Sequence, residues 1–238
     1  MKKVMRAVAA IMLMTAAVFV AGCKPDDSNN EGNGGSNVSG TYNGHDYVDL
    51  GLPSGTLWAT CNLGADKPEG YGDYFAWGET NPKTVYSWDN YKYCYVNSQK
   101  LTKYCTISGY GYNGLNDGLT ALLPEDDAAT SYWGAGWRMP TTEECQELIY
   151  NTTHTWTIRN DVYGRLFTGK NGNTLFLPAA GWYNGNSTGY VGELGYYWAS
   201  LLDTGTPINA CRFHFQSGGC GVSSDRRDVG QSVRAVRQ

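Results

Sequence analysis

His45-Asp46-Tyr47-Val48-Asp49-Leu50-Gly51-Leu52, Pro53-Ser54-Gly55 and Thr56-Leu57-Trp58-Ala59-Thr60-Cys61-Asn62-Leu63 read as two alternating runs on either side of a turn. Successive strand side chains point to opposite faces, so such alternation around a Pro-Ser-Gly break predicts a β-hairpin with one buried side. Working outward, residues 66–120 show no sustained periodicity and are dense in Gly, Tyr and Asn. An irregular stretch of that length inside one domain is either functional or held down by aromatic packing.

Helix signals are few. Pro124-Glu125-Asp126-Asp127-Ala128-Ala129-Thr130 predicts a short helix with acidic residues at its positive end. Thr141-Thr142-Glu143-Glu144 is a capping box, starting a helix that runs to about Tyr150. Strands are expected near 154–159, 162–168, 173–179, 195–200, 210–216 and 231–237, with Asn171-Gly172 turning the second into the third. The closing Ser232-Val233-Arg234-Ala235-Val236-Arg237 reads as a strand with one polar side. The fold class is therefore α+β: mostly antiparallel strands, a few short helices and long loops.

Upstream, Lys2, Lys3 and Arg6 precede an apolar run from Ala7 to Gly22, and Val20-Ala21-Gly22-Cys23 forms a lipobox. The run is shorter than the ~20 residues of a spanning helix. These features predict a lipoprotein signal peptide at 1–22, with Cys23 as the lipid-bearing residue of the mature chain. Residues 23–39, rich in Asn, Gly, Ser and Asp, are expected to form a flexible tether, and 40–238 a single domain. Cys23-Lys24-Pro25-Asp26-Asp27 resembles a Lys-plus-acidic surface-export signal. The expected location is the outer membrane, lipid-anchored and facing the extracellular side; a periplasm-facing anchor is the alternative.

Losing the leader takes the formal charge from −4 to −7, and no basic block remains, which excludes nucleic acid as an expected partner. Charged residues are only 17% against 18 tyrosines and 31 glycines, a balance suited to a loop-rich extracellular domain with aromatic surfaces. Six cysteines follow Cys23. Cys61 and Cys145 fall at apolar positions of their segments and read as small buried residues. Cys94 with Cys105, and Cys211 with Cys220, lie close enough in sequence to close hairpin-like loops as disulfides, although six cysteines allow ~15 pairings. None has CxxC spacing, and no metal or cofactor is expected.

The order of motifs is itself distinctive. Asp49 to Thr60 is followed by Gly72-Asp73-Tyr74-Phe75-Ala76-Trp77-Gly78-Glu79, Trp137-Arg138-Met139-Pro140-Thr141, Phe176-Leu177-Pro178-Ala179-Ala180-Gly181, Tyr197-Trp198-Ala199-Ser200 and the Ser232-to-Arg237 tail. Together they resemble the Fibrobacter succinogenes major paralogous domain family over nearly all of residues 45–238. The resemblance implies a C-type-lectin-like fold, distantly similar to formylglycine-generating enzymes, in which the tail returns to pair with the N-terminal hairpin. It implies fold and location more strongly than activity. Arg138 is expected to pair with a buried carboxylate or stack on an indole, and Trp198 and Phe213 to lie in the core.

Enzymatic readings find little support in the residues. The relatives that oxidise cysteine hold copper on two thiolates; Cys211 and Cys220 lie in the corresponding region without matching that pattern. His45, His154 and His214 lie in strand-like segments without a nucleophile motif nearby. Neither calcium-binding triplet of the lectin pattern is present in that form, and Trp88-Asp89-Asn90 has the residues in swapped order. The expected function is non-catalytic binding of a glycan or surface protein. Its ligand-facing residues are expected to be Tyr183, Asn184, Asn186, Tyr196, Arg212, His214 and Arg226, because aromatic faces among small hydrogen-bonding residues suit adaptable recognition. A formylglycine-generating-type oxidase and a structural subunit of a surface assembly are the alternatives.

Overall fold

A computed structural model describes residues 37–238. The lipobox, Cys23 and nearly all of the tether lie outside the described residues.

The hairpin forms as expected: β2 (His45–Asp49) pairs antiparallel with β3 (Leu57–Ala59), Val48 facing Trp58. β1 (Gly40–Tyr42) extends it on one edge and the closing β12 (Val236–Arg237) on the other, giving the order β1-β2-β3-β12. The tail thus returns to the hairpin, but regular pairing covers only two of its residues. Upstream of these, Gln231 and Ser232 make single bridges to Phe75 and Tyr197. The expected polar side of this tail is corrected as well. Arg234 is fully buried and donates to the carbonyls of Ala59 and Thr60 and to Asn62 Oδ1.

Around Asp127 the chain makes a 3-10 turn at Pro124–Asp126 and then α1 (Ala128–Trp133). The break is chemical: Asp127 Oδ1 accepts from the N–H groups of Ala129 and Thr130, so the helix starts after it and not before. α2 (Thr142–Asn151) begins at the capping box, with Thr141 and Glu144 each accepting the other's backbone N–H. Arg138 finds its carboxylate there, on Glu144 at 2.5 Å and 2.7 Å in a bidentate pair. Glu144 also receives the buried Thr56 hydroxyl at 3.0 Å, which ties the helix start to the hairpin.

β4 (Thr153–Arg159), β5 (Val162–Thr168) and β6 (Thr174–Pro178) form an antiparallel meander. Gly172 stands at φ +85° in its second turn, the conformation the Asn-Gly signal requires. A small hairpin follows, β7 (Trp182–Asn184) with β8 (Ser187–Gly189). β9 (Gly195–Leu202), β10 (Asn209–Gln216) and β11 (Gly219–Arg226) make the third sheet, with β10 in the middle. β11 has no counterpart among the expected strands, since Gly, Ser and Asp dominate it.

The edge strand β9 is covered on both faces. Tyr197, Phe213 and Phe215 enter one apolar cluster with Val48, Trp58, Leu148 and Phe167. Trp198 points the other way, into a second cluster with Phe75, Trp77 and Trp137, its indole donating to the Phe75 carbonyl. The long 66–120 segment is pinned onto this second cluster by rings. Trp77 meets Tyr104 edge-on at 5.1 Å, and Tyr93 meets Tyr91 and Tyr104 similarly. Buried Arg227 reaches in from beyond β11, donates to the Tyr104 and Lys103 carbonyls, and lies 5.5 Å from the Trp77 ring.

Candidate functional site

Alternation along β10 sends Phe213 and Phe215 inward and leaves Arg212 and His214 on the other side. The register then gathers their neighbours: His214 stands opposite Tyr196 on β9 and Gly221 on β11, and Arg212 opposite Ser223. The Arg212 guanidinium lies 3.9 Å from the Tyr196 ring centroid. It is fixed there by Asp225 at 2.6 Å and by Ser223 Oγ at 3.3 Å. His214 Nδ1 meets the same Ser223 hydroxyl at 3.2 Å, over the space Gly221 leaves by having no side chain. Gln231, wholly buried, donates to Asp225 and braces the carboxylate from behind.

The result is a largely buried but solvent-reaching cluster of a cation, an aromatic face and an imidazole. Among the described residues, Arg212 Nη2 and His214 Nε2 have no hydrogen-bond partner. The guanidinium nitrogen is open to an acceptor from outside, and the imidazole nitrogen to a hydrogen-bonding partner. Burial lowers the His214 pKa, and the nearby Arg212 charge lowers it further, so at neutral pH the ring is uncharged.

The other expected ligand-facing residues fall elsewhere. Tyr183 is half-buried: its ring packs between Tyr74 (5.7 Å) and Tyr86 (5.1 Å), and its hydroxyl donates to the Asn186 carbonyl at an exposed position. Its neighbours Asn184 and Asn186 are exposed at the tip of the β7–β8 hairpin. Arg226 follows Asp225 on the strand, and its guanidinium is taken up by the buried carboxylate of Asp228.

Both expected disulfides are corrected: all six described cysteines are free thiols. In the β10–β11 ladder Cys211 faces Ser224 whereas Cys220 faces Phe215, too far along the strands to bond. Cys94 and Cys105 each turn back to donate to a nearby carbonyl, Trp88 and Ile107 respectively. Cys145 is fully buried as expected, while Cys61 is half-buried.

A thiol–imidazole contact that sequence reasoning missed occurs at Cys220. Its sulfur lies 3.4 Å from His154 Nε2, and Arg165 Nη1 lies 2.8 Å from His154 Nδ1. A guanidinium can only donate, so Nδ1 is the acceptor and the ring proton sits on Nε2, pointing at sulfur. The imidazole therefore donates to Cys220 and cannot take its proton as a general base. Burial raises the Cys220 pKa in spite of the Arg165 charge, which keeps the thiol protonated. The arrangement suits a packed polar group better than an activated nucleophile.

All three histidines have pKa values lowered, foremost by burial, with Arg165 and Arg212 adding to it at His154 and His214. The unfolded chain thus binds protons at a higher pH, near the ordinary ~6.5, than the folded chain does. Stability from these groups is complete above that value and is lost as pH falls through the lower folded-state values. Urea midpoints are expected to drop between pH 7 and pH 5; an unchanged midpoint would contradict the burial of these rings.

Among the described residues no three His, Cys, Asp or Glu side chains gather as a metal site, and no helix is long and apolar enough to cross a membrane. The chain matches no protein-family model, no curated protein and no solved structure.

Proposed function

We propose that this chain is a surface-anchored lipoprotein, acylated at Cys23, whose domain is C-type-lectin-like and binds a glycan or a surface protein without catalysis. It resembles the Fibrobacter succinogenes major paralogous domain family in the order of its motifs. The α+β architecture, the return of the tail to the N-terminal hairpin and the long irregular insertion ahead of α2 support that reading. The observation that carries the binding function is Arg212, pinned over Tyr196 by Asp225 and Ser223 with one guanidinium nitrogen left free. A side chain already held in one geometry loses little entropy when a ligand arrives.

The test is a glycan and cell-surface binding screen with the detergent-extracted full chain. Arg212→Ala is expected to weaken at least one hit by about 10- to 100-fold, or roughly 1.4–2.8 kcal/mol, and Tyr196→Ala the same hit by about tenfold. Tyr183→Phe should leave binding unchanged. A screen in which every hit keeps its full strength in both Arg212→Ala and Tyr196→Ala places the ligand elsewhere. The intact mass of the membrane-extracted protein tests acylation independently.

A further inference from the structure

A second surface is built from three segments remote in sequence. The start of β2, the turn after β3 and the last residues of α1 enclose an open cleft of about 690 Å³ lined by His45, Gly64, Ala65, Asp66, Tyr132 and Trp133. That volume lies within the ~300–1,000 Å³ range of small-ligand clefts. One wall is a fixed aromatic stack. The His45 imidazole lies flat on the Trp133 indole, centroids 4.0 Å apart and planes 15° from parallel, and Trp137 abuts the same indole edge-on at 5.2 Å. Asn43 donates to the Trp133 carbonyl, locking the β1–β2 turn to the end of α1.

The other wall has an open ring. Tyr132 is 41% exposed, yet its edge is seated against buried Phe75 at 5.3 Å and 87°, so it is held while much of its surface stays in solvent. The floor between the walls is polar. Gly64, at φ +79°, has an Asp73 carboxylate oxygen only 2.4 Å from where a Cβ would stand, so only glycine allows that approach. Neither the Asp73 nor the exposed Asp66 carboxylate has a hydrogen-bond or ion-pair partner among the described residues. Burial pushes the Tyr132 hydroxyl pKa up, and the nearby Asp73 charge adds to it.

We propose that this cleft is a saccharide-binding site, in which one sugar ring lies on the exposed face of Tyr132 and gives adjacent hydroxyls to Asp66. The C–H face of a pyranose carries slight positive charge and meets the negative face of an aromatic ring. Two neighbouring hydroxyls present a pair of donors at the spacing of two carboxylate oxygens, which accept and never donate when ionised. An organic ammonium would need several open rings around it. Here His45 already covers one face of Trp133, leaving Tyr132 as the open platform. The site shares no residue with the Arg212 cluster and does not depend on the lipoprotein reading.

The test is calorimetric titration of the detergent-extracted full chain with lactose, maltose, cellobiose and N,N′-diacetylchitobiose. At least one is expected to bind with Kd below about 10 mM. Tyr132→Ala and Asp66→Asn should each weaken it about tenfold, while Tyr132→Phe changes it by less than about twofold. Thermal unfolding of each variant checks the fold, and the exposed Asp66→Asn decides should Tyr132→Ala fail to fold. No binding by any of the four sugars overturns the proposal. So does binding that Asp66→Asn leaves intact. Binding lost only in Arg212→Ala overturns it too, and assigns the sugar to the β9–β11 surface.

Discussion

Arg234→Met is expected to destabilise the domain by about 3–5 kcal/mol, with a large fall in the urea midpoint. The guanidinium is fully buried and serves three acceptors: Ala59 O at 3.0 Å, Thr60 O at 2.6 Å and Asn62 Oδ1 at 2.8 Å. Asn62 in turn donates to the Tyr71 carbonyl and the Tyr197 hydroxyl, so one side chain links the hairpin, the following loop and β9. Among the described residues no carboxylate accompanies it, and burial works against its charge. Its contribution lies in carbonyls that β-ladder bonds do not reach, each costing about 1–3 kcal/mol when stranded in the interior. Methionine fills much of the volume and supplies no donor. Lysine, a single point of charge, cannot reach three acceptors in one plane and should rescue only part of the loss. A loss below about 1 kcal/mol for Arg234→Met would refute this role.

The second large effect is expected at Asp126. Its carboxylate is 2% exposed and receives Lys103 Nζ at 2.6 Å, Tyr104 Oη at 2.7 Å, Lys92 Nζ at 3.1 Å and the Tyr93 hydroxyl. Burial alone would raise its pKa, but these bonds outweigh burial and bring it down to about 2. Asp126→Ala would leave two lysines facing each other and take the acceptor away from two tyrosine hydroxyls, at a cost of about 3–4 kcal/mol. Protease sensitivity should appear first between residues 90 and 120. The folded pKa lies below the unfolded value of roughly 3.9, so this contribution is complete above that pH and is lost as pH falls toward 2. In Asp126→Asn the acid-dependent part should vanish while some stability remains. A variant that keeps the wild-type acid profile would assign the effect to other carboxylates.

What could be read in advance follows from how local the cause is. The 45–63 hairpin, the Thr141 capping box and the Asn171-Gly172 turn are set by neighbours in sequence, and the structure forms all three. β11 was illegible because Gly219-Cys220-Gly221 and Ser223-Ser224 have low strand preference; pairing with β10 imposes the conformation. The Ser217-Gly218 pair was the available signal. As a two-residue turn it sets Cys211 opposite Ser224, rules out the Cys211–Cys220 bond and brings Ser223 to Arg212. Alternation at Arg234 predicts one wet face, whereas the segment is enclosed on both sides. Tyr196, Arg212 and His214 were legible from period two alone. The cleft was not, since positions 45, 66 and 132 meet only through tertiary packing.

The manner in which residues 66–120 are fastened has a consequence for variation. A strand that gains one residue turns its whole apolar side outward. This segment is instead riveted at separate points, by Tyr91, Tyr93 and Tyr104 and through Asp126 and Arg227, with exposed stretches such as Tyr95-Val96-Asn97 slung between them. Residues can be added or exchanged in those spans without shifting any rivet, so the outward relief of the molecule can diversify rapidly over an interior that stays the same.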